Sequence, residues 1–213
     1  MNTTPALQLP EPVRTLLART GHPTDIPDTG APLTPGWLPT LTNAILALLT
    51  DANPADAARS YTGHGHTDLY LAQHGEDTLY LRTGADNHSA PRQAPDKSAH
   101  LTLTGTATLT AYTTTERADA DHPQYLREFR PESAYFCYPG TLHTTELADS
   151  TVQLVVTRGP LTPYGTALTS DQYLDTLKTA SDLLTHTLQP APTTHALDNA
   201  RSHLPTGQQL TER

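Results

Sequence analysis

The stretch Arg130-Pro-Glu-Ser-Ala-Tyr-Phe-Cys-Tyr-Pro-Gly-Thr-Leu-His143 decides the fold. Residues 133–137 are aromatic and apolar and read as a strand. Pro139-Gly140 then breaks the run with a tight turn. Residues 141–146 read as the returning strand, so His143 enters at its start and points to one side of it.

The pattern continues outward in both directions. Residues 68–72 and 78–82 alternate Leu with Tyr, and His74-Gly-Glu-Asp77 joins them as a hairpin turn. Residues 100–112 alternate Leu and Ala with Thr and break at Gly105, which gives two strands meeting at a glycine bend. Residues 124–130 and 151–157 complete a β-rich middle. So many short strands at even spacing predict a mainly β sandwich or small barrel. Helical spacing appears only at the flanks. Leu41, Ile45, Leu48 and Leu49 predict a helix over residues 38–50, followed by a short one over 55–59. Leu174, Leu177, Leu183, Leu184 and Leu188 predict a last helix over 170–188, capped by Ser170 or Asp171. The organisation expected is a Pro/Thr-rich segment over 1–36, a β domain with its leading helices over 37–170, the helix over 171–188, and a loose tail over 189–213. Within the first segment only residues 12–19 suggest a short helix.

Composition narrows the function. Thirteen basic and 22 acidic residues give a formal charge of −9. That balance argues against a duplex-binding protein. No run reaches the roughly 20 apolar residues of a membrane span, and the start lacks the basic and apolar regions of a signal peptide. A cytoplasmic protein without nucleic-acid or membrane partners is expected. The single cysteine, Cys137, excludes an internal disulfide framework and reads as a core thiol. Eleven histidines among few charged residues direct attention to a metal or acid/base site. No phosphate loop, serine elbow or HExxH string is present.

The Pro139-Gly-Thr-Leu-His143 string resembles the second motif of the cupin superfamily, where a Pro-Gly turn delivers a metal-binding histidine. The likeness extends further, over roughly residues 37–170. Val152-Gln-Leu-Val-Val-Thr-Arg-Gly-Pro-Leu-Thr-Pro-Tyr164 resembles the closing strand and exit of thiol dioxygenases of the cysteine dioxygenase type. Residues 77–84 and 100–109 resemble two more strands of that family. The resemblance implies a single cupin barrel or sandwich with N-terminal helices and one C-terminal helix. It implies oxidation of a small thiol amino acid such as cysteine with O₂, at one divalent metal: iron first, with nickel, copper or zinc as other choices. The product need not be the family's usual one, which leaves room for specialised metabolism.

The sequence departs from that family at its metal ligands. Counted without gaps, the family's His-x-His pair falls on Pro91 and Gln93, and its closing-strand Ser-x-His-x-Tyr on Gln153, Val155 and Thr157. Neither Pro nor Gln replaces an imidazole as ligand. Of the family's histidines His143 alone keeps its place. Other histidines share the face that would line the cavity: His100, with Ser98 and Thr102 at the same parity, and His64 with His66. One expectation is therefore a relocated metal centre of His64, His66, His100 and His143. The bland alternative makes Gly63-His-Gly-His66 a loop and His100 a hydrogen-bonded interior residue. A rival triad takes Asp86 and His88 with His143. Tyr80, Arg82 and Gln93 are the candidate substrate contacts. Two further functions stay open: a metal-free cupin that binds a small molecule or a partner, and a metal-free isomerase or cyclase using His as acid and base.

Overall fold

A computed structural model describes residues 37–84 and 90–188. The expected helix over 12–19, the tail over 189–213, and Asp86 with His88 lie outside the described residues.

Among the described residues, eleven strands form two antiparallel sheets. The larger has seven strands: β1 (Tyr61–Gly63), β2 (His66–His74), β3 (Asp77–Gly84), β5 (Ser98–Thr104), β8 (Ala134–Cys137), β10 (Val152–Arg158) and β11 (Thr166–Ala167), in the order β11-β1-β2-β3-β10-β5-β8. The smaller has four: β4 (Arg92–Gln93), β6 (Ala107–Tyr112), β7 (Tyr125–Phe129) and β9 (Leu142–Leu147), in the order β4-β9-β6-β7. The two sheets are not joined into one closed ladder, so of barrel and sandwich the molecule is a sandwich.

The larger sheet is buried on both faces, and the two faces differ in chemistry. Strand parity places Leu79, Leu81, Ala99, Leu101, Leu103, Leu154 and Val156 on one face, in a single apolar cluster with the helices. Helix α1 (Trp37–Thr50) contributes Leu38, Leu41 and Ile45 at i, i+3 and i+7. A 3₁₀ helix (Pro54–Arg59), capped by Asn53, adds Ala57. A five-residue helix α2 (Thr115–Asp119) lies apart on the surface. The last helix, α3 (Ser170–Leu188), has the expected bounds, but its inward stripe is Tyr173, Leu177, Ala180 and Leu184. Leu174 is exposed. Its cap also sits one residue earlier than expected. Thr169 Oγ1 accepts from Gln172 N at 3.3 Å, and Gln172 Oε1 accepts from Thr169 N at 3.0 Å. That reciprocal pair is a capping box.

The other face of the larger sheet turns toward the smaller sheet and is polar. It carries Asp68, Arg82, Ser98, His100, Thr102, Gln153 and Thr157, all buried. Register aligns them in rows across the strands. One row runs Asp68–Arg82–Gln153–Thr102, and the next runs Tyr70–Tyr80–Val155–His100–Tyr135. Polar groups removed from water must pair with each other. Gln153 Nε2 donates to Thr102 Oγ1 at 3.2 Å, and Tyr135 OH donates to Gln153 Oε1 at 3.4 Å. A second apolar cluster, Ala107, Leu109, Phe129, Tyr135, Cys137 and Leu147 with Ala94, holds the sheets together beside this polar zone.

The bend at Gly105 is enforced sterically. Its φ is +69°, and a Cβ there would lie 2.6 Å from the Thr151 Cα. No helix among the described residues is long and apolar enough to cross a membrane.

Candidate functional site

Between the sheets lies a cavity of about 30 Å³. That exceeds the roughly 10–15 Å³ that one water requires. Arg82, Ser98 and His100 line it from the larger sheet, Cys137 and His143 from β8 and β9, and Arg92 and Ala94 from β4 and the residue after it. Tyr164 lines it from the loop that follows β10.

Arg82 is held by a buried carboxylate. Its Nε and Nη2 donate to the two oxygens of Asp68, each at 2.8 Å. Tyr164 OH adds a third bond to Asp68 Oδ2 at 2.7 Å. Burial alone would raise the Asp68 carboxyl. The Arg82 charge, with the bonds from Arg82 and Tyr164, holds it below the usual carboxylate value. Arg82 is thus neutralised within the wall.

Arg92 has no such partner: among the described residues, no carboxylate stands within ion-pair distance of it. Its Nη2 donates to His66 Nε2 at 3.1 Å, and its guanidinium carbon lies 5.4 Å from the Tyr164 ring centre. A guanidinium only donates, so His66 Nε2 is an acceptor and the ring proton sits on Nδ1. That nitrogen faces the His64 carbonyl at 3.2 Å. Burial, with Arg82 and Arg92 adding to it, lowers the His66 pKa well below 6.5, so the ring is neutral. Its 3.8 Å approach to Asp68 is accordingly not an ion pair.

His143 repeats this arrangement. Its Nδ1 donates to the Thr141 carbonyl at 3.0 Å, and burial brings its pKa down to about 4. Nε2 is left as an acceptor, 3.8 Å from Cys137 Sγ. Burial pushes the Cys137 thiol up to about 12, so it stays protonated and supplies the S–H. His100 differs from both. It stacks on Tyr135, with ring centres 4.5 Å apart and planes 3° apart. Its Nε2 lies 2.8 Å from Ser98 Oγ, and its Nδ1 has no hydrogen-bond partner among the described residues. Burial, then Arg82, lowers its pKa well below 6.5.

The expected site residues are therefore only partly brought together. His100 and His143 line the cavity, while His66 stands behind Arg92. His64 is exposed, at φ +53° in the two-residue turn between β1 and β2. Arg82 lines the cavity. Tyr80 does not, because its hydroxyl accepts from Leu161 N at 3.0 Å within a cluster of Tyr70, Val155 and Leu161. Gln93 is exposed, and its neighbours Arg92 and Ala94 face inward instead. Arg92 pairs in register with His143. In a strand one residue reverses the side, so this register turns Arg92 inward and Gln93 away from the cavity. Cys137 is buried as expected but borders the cavity. Asp68 and Tyr164 were not foreseen.

A divalent metal does not fit this donor set. Among the described residues no three His, Cys, Asp or Glu side chains are grouped to hold one. The Nε2 of His66 is taken by Arg92, and the uncompensated charge of Arg92 lines the space a dication would enter.

No family model matches the chain, and no curated protein matches it. Solved structures do resemble it. A cupin superfamily protein from Desulfitobacterium hafniense aligns at 16% identity and a TM-score of 0.33, over 46% of this chain and 81% of that one. The DMSP lyase DddQ from Ruegeria pomeroyi aligns at 16% identity and a TM-score of 0.41, over 59% of this chain and 65% of that one. HEPD of Streptomyces albus, solved with 2-hydroxyethylphosphonate and Fe(II), aligns at 12% identity and a TM-score of 0.33, over 67% of this chain and 25% of that one. None of the three is described as a thiol dioxygenase, and likeness at this level carries no argument about function. The functional argument therefore rests on this chain's own side chains.

Proposed function

We propose that the chain binds a small carboxylate carrying an O–H, N–H or S–H donor, in a pocket that works without a metal. Arg92 carries the reading. It is a cavity-facing guanidinium with no carboxylate partner among the described residues, beside an Arg82 already paired with Asp68. Such a fork grips a carboxylate through two parallel bonds. The Nε2 of His143, an acceptor whose neighbour is the weak S–H donor of Cys137, accepts the ligand's donor in its place. Neutral imidazoles lining the cavity can also move a proton on the bound molecule. A 2-hydroxy acid meets these requirements, and so does cysteine as a ligand. Oxidation of cysteine by O₂ at iron is the competing reading.

The test uses metal-stripped protein without a His tag, its metal content checked by elemental mass spectrometry. Glycolate and cysteine are titrated by calorimetry. The reading predicts that glycolate binds, with or without cysteine, and that its binding is weakened at least 10-fold in Arg92→Gln. Purified protein holding near one equivalent of iron, with cysteine-dependent O₂ uptake, would replace it with the metal-oxygenase reading.

A further inference from the structure

Ser98 and His100 form a contact that anion binding does not use. They sit two residues apart on the cavity face of β5, and Ser98 Oγ lies 2.8 Å from His100 Nε2. Both line the same cavity as Arg92. We propose that Ser98 and His100 are a nucleophile–base pair that hydrolyses small carboxylate-bearing esters, with Arg92 holding the carboxylate. This inference rests on the anion-pocket reading of Arg92.

Three features of the geometry support it. A serine hydroxyl becomes a nucleophile when a neutral imidazole within hydrogen-bond reach accepts its proton. Burial keeps His100 neutral. The parallel stack on Tyr135 fixes the ring plane, so Nε2 stays aimed at Ser98. His66 and His143 are each tied at Nδ1 to a backbone carbonyl, which locks one tautomer. His100 has no such tie among the described residues; with Nε2 accepting from Ser98 Oγ, its one ring proton sits on Nδ1.

The reaction balances with water as the only co-reactant. Ser98 Oγ bonds to the acyl carbon as its proton passes to His100 Nε2. The ester C–O bond then breaks, and the departing alkoxide takes that proton. Water repeats the sequence: its oxygen bonds to the acyl carbon, its proton goes to His100, and the Oγ–carbon bond breaks as Ser98 regains a proton. No group is oxidised or reduced.

Acetoxyacetate is the probe, with acetate and glycolate as its products. Wild-type protein is expected to release both by proton NMR, and an acid-quenched sample is expected to carry an acetyl group on Ser98 by peptide mass spectrometry. Ser98→Ala and His100→Ala are each expected to lose at least 100-fold in turnover, in the range by which a positioned acid or base accelerates such steps. Glycolate titration of the wild type keeps the two claims apart. If glycolate binds but no ester is cleaved and Ser98 stays unacetylated, the dyad is refuted and the anion pocket stands. If glycolate fails to bind and no ester is cleaved, both fall. Acetylation found only at other residues also refutes the dyad, whatever the two variants do.

Discussion

Replacing Asp68 with Asn tests how the cavity wall is built. The Asp68 side chain is fully buried and accepts from Arg82 twice and from Tyr164 once. Asn keeps the shape and removes the charge. Its amide then presents a donor to Arg82, whose guanidinium only donates, and Arg82, 3% exposed, keeps a positive charge it cannot release. Breaking a buried pair from one side costs about 3–5 kcal/mol. For a chain of this size each kcal/mol shifts Tm by roughly 2–4 °C, so D68N is expected to melt about 6–20 °C lower. Urea unfolding at pH 7 with a far-ultraviolet probe gives the energy directly. The double variant D68L/R82M removes both charges and should lose less than D68N alone. A D68N protein within about 1 kcal/mol of wild type would refute the claim that this pair anchors the wall.

Stability should fall with acid. His143 titrates near 6.5 when unfolded and near 4 when folded, so between those values the unfolded chain holds the extra proton. Each unit of pH lost in that window costs up to about 1.4 kcal/mol for this residue, and H143Q should flatten a pH series of urea midpoints. His66 and His100 shift in the same direction and steepen the slope. Gly165→Ala should be severe, because φ is +56° and a Cβ would stand 2.1 Å from the Thr62 carbonyl oxygen. It should push Tyr164 off Asp68, lowering both Tm and affinity for glycolate. A G165A protein with unchanged Tm and affinity would show that this loop does not shape the pocket.

The fold was legible because alternation and turn residues carry it. The strands on either side of Pro139-Gly140, the bend at Gly105 and the bounds of the last helix all follow from local rules. The short strands Tyr61–Gly63, Arg92–Gln93 and Thr166–Ala167 were not legible. They are too brief to show a period and exist through their neighbours. The site was legible in part. His100 and His143 face inward because strand parity places them there. Arg92 was missed since its side depends on a register set by pairing with His143, not by any local pattern. Asp68 and Tyr164, 96 residues apart, meet through tertiary structure. The same alternation that marks Leu for the helix side hides a buried charge on the other side, because a paired Asp reads in sequence like an exposed one.

The most direct test of the account is glycolate titration of metal-stripped wild type and Arg92→Gln, with the folded state of each checked by its melting curve. The account predicts saturable binding to the metal-free wild type and at least a 10-fold loss in R92Q at unchanged Tm. Equal affinity in the two proteins, or binding that appears only after Fe(II) is restored, would contradict it.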